Sequence, residues 1–138
     1  MPPTHDTHAL GALHDAWLGD PSAGRPDWTR LRAWLDAIAA ASPAARQQAV
    51  AHRPPGAPSA VLDNLLAAIA EKVSDDATLP RPGWTTDVPV LEAEWCEVAT
   101  ERMRRAWRLS TPPQLAARNL TVDAASLWRP TRWGGPPG

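Results

Sequence analysis

Sixteen prolines in 138 residues set the frame for this chain. A proline inside a helix removes a backbone donor and clashes with the carbonyl one turn earlier, and the same missing N–H bars it from central strands. Pro54, Pro55 and Pro58 with Gly56, then Pro80, Pro82, Gly83 and Pro89, therefore divide the chain into short stretches joined by proline-rich extended linkers. Between these breaks the apolar residues recur at spacings of three and four, the period of an amphipathic helix.

Ala9, Leu10, Leu13, Ala16 and Trp17 predict a first short helix from Asp6, stopped at Gly19-Asp20-Pro21. Trp28, Leu31, Trp34, Leu35 and Ile38 predict a second, ending near Ala41, where Ser42-Pro43 caps a short third over about 43–51. Ser59 opens the strongest pattern, with Val61, Leu62, Leu65, Leu66, Ile69 and Val73 on one stripe. This helix is expected at the centre of the core. Residues 79–92 should drape extended across the helices, anchored by Leu79, Trp84 and Leu91. A further helix is predicted from about Glu94 to Arg108, then a turn carrying Leu115, then a short helix with Asp123 as cap and Val122 packed on Leu127.

The aliphatic complement is thin: Leu, Ile and Val total 23, and Phe and Tyr are absent. Eight tryptophans compensate, each able to bury on the order of 150–250 Å². The expected fold is all-α, a small irregular helical domain with proline-rich extended linkers and flexible termini. Its single domain spans 1–128, with an ordered core from about residue 6 and a flexible tail at 129–138. Leu10, Leu13, Trp17, Leu31, Trp34, Leu35, Leu62, Leu65, Leu66, Ile69, Trp95 and Val98 are the expected core.

Signals for catalysis are sparse. No dinucleotide fingerprint, P-loop, nucleophile elbow or metalloprotease helix motif occurs. His5, Asp6 and His8 form a short tract in a frayed end, where nothing fixes ligand geometry. Cys96 is the sole cysteine, and the neighbouring glutamates work against a thiolate. Glu94, Glu97 and Glu101 would share one helix face and read as a solvated or partner-facing acidic surface. The expectation is a protein that is not an enzyme, without catalytic, cofactor-binding or metal residues. No apolar run reaches the roughly 18–20 residues of a membrane span, and no signal peptide precedes the first helix, so the expected location is cytoplasmic. Thirteen arginines against one lysine, with abundant Ala and Pro, suggest a GC-rich bacterial source.

Charge is unevenly placed. Residues 54–101 carry nine acids and two bases, residues 102–138 one acid and seven bases, and the sign changes at Glu101-Arg102. Two compatible readings follow, pairing within the domain and docking onto a charged partner. The expected partner-binding residues are Arg104, Arg105, Arg108, Trp84, Arg118 and Trp128. Helical geometry puts Arg104 and Arg108 on one face, directed to solvent, with Arg102 turned toward Glu97, Glu101 or the acidic linker. The basic pole with Trp107, Trp128 and Trp133 also suits a small nucleic-acid-associated regulator, although the acidic segment would repel the phosphate backbone.

The run AVLDNLLAAIAEKVSDDATLPRPGW, then DVPVLEAEW, then STPPQLAARNLTVDAASLWR, with Arg118, Leu120, Val122 and Leu127 as its final pattern, spans roughly residues 60–129. It resembles a family of small actinobacterial antitoxin-like proteins, partners of nucleotidyltransferase-type or similar toxins. The resemblance implies a module that neutralises a protein partner by stoichiometric binding, antitoxin-like or immunity-like, and carries no catalytic residue over.

Overall fold

The computed structural model describes residues 28–54, 60–96 and 100–123. The first expected helix, with Leu10, Leu13 and Trp17, lies outside them, as do Glu97, Val98, Leu127 of the expected final helix and the expected tail at 129–138.

Five α-helices and a two-stranded ladder make up the described chain: α1 (Trp28–Ala39), α2 (Pro43–Ala49), α3 (Ala60–Asp76), β1 (Trp95–Cys96), α4 (Glu101–Ser110), α5 (Pro113–Ala116) and β2 (Leu120–Thr121). A 3₁₀ turn, Gly83–Asp87, interrupts the proline-rich linker. The expected all-α class is thus corrected: helices dominate, but a parallel pair of strands is part of the fold, with Trp95 opposite Leu120 and Cys96 opposite Thr121.

α3 is the axis. Its sequence is apolar or small on nearly every side, so it can be surrounded rather than merely faced. Leu62, Leu65, Leu66, Ala67, Ala68, Ile69, Ala70 and Val73 are all buried. α1 brings Leu31, Trp34, Leu35 and Ile38 to this core, and Val50, Leu115, Leu120 and Val122 complete it. Trp95 is half-buried against the cluster.

Local chemistry sets the breaks. Ser42 Oγ accepts from Ala45 N–H at 3.1 Å, with Pro43 at the first helical position of α2. Arg46 returns to the end of α1, donating to the Ala39 and Ala41 carbonyls at 2.8 and 3.1 Å, where carbonyls lack helical partners. α3 ends in a Schellman turn: Leu79 N–H reaches Ser74 O at 2.8 Å and Thr78 N–H reaches Asp75 O at 3.1 Å. Thr78 holds the left-handed position at φ 57°, unfavourable for a β-branched residue. Asn119, at φ 64°, turns the chain from α5 into β2 and donates to Leu91 O at 2.6 Å.

The linker after α3 drapes over the core as expected. Trp84 Nε1 donates to Val50 O at 2.9 Å and Asn64 Nδ2 to Pro89 O at 2.9 Å, fastening both ends of the 3₁₀ region to helical elements.

The helix expected from Glu94 to Arg108 begins later, at Glu101. Trp95 and Cys96 pair with β2 instead, and Thr100 caps α4 by accepting from Met103 N–H at 3.3 Å. Val122, expected at the opening of a final helix, follows β2 and is buried.

Candidate functional site

Two places hold the concentrated charge, and they differ in kind. Arg118 lies in the turn between α5 and β2 and is only 5% exposed. Its guanidinium forks onto Glu71 of α3, with Nε to Oε1 at 3.2 Å and Nη2 to Oε2 at 3.0 Å. It also donates to Asn64 Oδ1 at 3.0 Å, Val88 O at 3.1 Å and Thr85 O at 2.7 Å. Asn64 and Glu71 are seven residues apart on α3 and so share a face. The network ties α3, the draped linker and the C-terminal turn at one point. Arg118 is thus not the surface arginine the sequence suggested; a buried cation needs a complete shell of acceptors, and here it has one.

The second place is α4. None of its ten residues is buried. Arg104 and Trp107, the half-buried pair, mark the side facing the body, where the helix meets β2. Its ends carry the attachment. Arg108 donates to Glu94 at 2.8 and 2.7 Å and approaches Glu101 at 3.4 Å, and Thr121 of β2 donates to Glu94 as well. Thr111, just past the helix, accepts from Val122 N–H at 3.1 Å. The Glu94 carboxyl is held down to about 2, first by the Arg108 hydrogen bonds and then by Thr121, and Arg108 is raised in turn.

Away from the body α4 presents Arg102, Arg105, Ala106 and Leu109, all exposed. Leu109 is 91% exposed and Met103 45%. Of the arginines expected at the partner surface, Arg105 is outward, its side chain 73% exposed with Glu101 only at 3.9 Å; Arg108 is exposed too but is engaged as the clamp to Glu94, and the Arg104 side chain is only one-third exposed. Arg102 is exposed and makes no ion pair among the described residues. Trp84 is half-buried on Val50, and Trp128 lies outside the described residues. Glu94 and Glu101 do not share a helix face, because Glu94 precedes β1 whereas Glu101 opens α4; they meet at Arg108.

No protein-family model, curated protein or solved structure matches the chain.

Among the described residues no group of three or more His, Cys, Asp or Glu is placed to hold a metal ion, and no helix is long and apolar enough to cross a membrane. Cys96 is a half-buried free thiol on β1. Two shallow clefts, of about 140 and 180 Å³, lie beside α2, the first lined by Leu35, Ile38 and Val73, the second by Val50, Pro80 and Arg81. Both fall below the roughly 300 Å³ at which small-molecule sites begin.

Sequence reasoning missed the Thr100 cap, although a threonine followed by Glu101 and a run of helix formers is a recognisable start signal. It also missed Glu71 as a core residue. The available sign was an asparagine and a carboxylate seven apart, on one face of a helix and flanking the wholly apolar run Leu65 to Ala70, where a polar pair must find a buried cation or donor.

Proposed function

We propose that this chain is a non-catalytic, cytoplasmic protein-binding module that presents α4 to a partner protein. One observation carries the reading: α4 buries none of its residues yet turns Leu109 outward among arginines. A short helix in water is marginal alone and normally owes its stability to an apolar face packed on the core. α4 is instead held at its ends, by the Thr100 cap, the Glu94–Arg108 clamp and the Thr111–Val122 bonds. Its outer face, with leucine, methionine and arginine, has the composition that interfaces favour.

The concrete form is the one the sequence resemblance implies, an antitoxin-like or immunity-like protein that occupies its target stoichiometrically. The nucleic-acid reading is the weaker, since Glu94 and Glu101 neutralise Arg108 and an aliphatic residue stands where a phosphate-tracking helix would want cations.

The test is capture from the source cells with the tagged chain and with its Leu109→Asp variant, followed by mass spectrometry. Proteins held by the first and lost by the second are then purified and recombined with the chain. A one-to-one complex that the variant fails to form supports the reading; identical capture by both chains overturns it.

A further inference from the structure

We infer that the surface matching α4 is an acidic amphipathic helix on the partner, an inference that rests on the docking role just proposed. The outward residues Arg102, Arg105, Ala106 and Leu109 fall at spacings of three, four and seven, the seam along which one helix packs on another. Ala106, at the middle of this seam, is small enough for a second backbone to come close. Leu109 supplies a knob for an apolar hole, and the two arginines beside it call for carboxylates at the flanking positions.

The charge pattern decides among occupants. A second copy of the chain laid parallel on α4 sets Arg102 and Arg105 against the same arginines of its mate; laid antiparallel it brings the two Arg105 side chains together beside the two-fold axis, and in both cases like charges oppose pairing. An anionic membrane surface asks for a broad apolar face, whereas here arginines share the outward side with Leu109. Nucleic acid would leave the exposed Leu109 without an apolar partner at one end of the contact. An acidic helix satisfies all four residues at once, and its charge steers the encounter.

The experiment selects, against the full chain, from a displayed library of amphipathic helical peptides whose polar positions vary among Glu, Lys and Ser. The expected winners are glutamate-rich, lose binding with Leu109→Asp, and bind roughly tenfold more weakly when salt is raised from low to above physiological levels. Against the Arg102→Glu/Arg105→Glu variant the same library should return lysine-rich winners, a reversal that a merely structural role for these arginines does not produce. Winners that need Leu109 but show no acidic excess would overturn the acidic-helix inference while leaving α4 as a docking element. Failure to obtain any Leu109-dependent peptide overturns both. So does self-association in the ultracentrifuge, or binding to duplex DNA or phosphatidylserine vesicles, if Leu109→Asp abolishes it.

Discussion

α3 and α4 come from one chain, are each capped or closed by local signals, and meet solvent in opposite ways. Along α3 eleven of seventeen residues are buried, including the polar Asn64, Glu71 and Ser74. Along α4 none is. Charge follows the same division. The arginine that serves α3 is enclosed and fully engaged, while Arg105 and Arg108 of α4 stand at the surface beside Glu101 and Glu94. In a small domain with few large aliphatics, one helix can be wrapped on all sides only if another is left outside, and the outlying helix is then available for contact with another molecule.

The sharpest way to break this contrast is at Arg118. Arg118→Ala leaves the buried Glu71 with only the longer contact to Arg81, at 3.8 Å, and chemical denaturation should show a loss of about 3–5 kcal/mol. Replacing both, Arg118→Met with Glu71→Leu, should recover much of it. A loss as small as that of a surface ion pair would mean that water reaches this site.

Identical truncations in the two helices sharpen it further. Leu66→Ala should cost about 2–5 kcal/mol, through lost burial and a residual cavity. Leu109→Ala should stay within about 0.5 kcal/mol of the parent, as exposed positions do. Equal losses would contradict the division.

Between the helices, Thr78→Gly should stabilise by about 1 kcal/mol, by relieving a left-handed threonine that is exposed and contributes little packing. An unchanged melting midpoint would show that no strain is held there.

The smallest effect belongs to the α4 clamp. Because Glu94 is lowered from 4.5 to about 2 in the folded chain, the stability it contributes is present above pH 4.5 and is lost as pH falls toward 2. Glu94→Gln should therefore lower stability above pH 4.5, by an amount that solvent screening of an exposed pair keeps small, and flatten the acid limb of a stability-against-pH curve by that same amount. An unaltered acid limb would remove the clamp.

Much of the α3 region was legible in the sequence. The stripe from Leu62 to Val73 and the face Leu31, Trp34, Leu35 and Ile38 follow from helical periodicity, and both are buried. Ser42-Pro43 placed the start of α2 for the same local reason. What escaped was non-local. Trp95-Cys96 reads as the front of a helix until Leu120-Thr121, over twenty residues later, provides its strand partner. Arg118 reads as surface charge until Glu71, 47 residues earlier, meets it. At the candidate site the basic character of α4 and the exposure of Arg105 were legible, but the engagement of Arg108 was not, because its clamp depends on that same strand pairing to set Glu94 beside Thr121 of β2.

Native-state hydrogen exchange on the full chain, alone and with its selected acidic peptide, tests most directly whether core and docking helix are separate. In the free chain α3 amides should exchange only through global unfolding and α4 amides by local opening, well before them. The peptide should slow α4 selectively. Equal protection of the two helices in the free chain, or an α4 that the peptide leaves unchanged, would contradict the account.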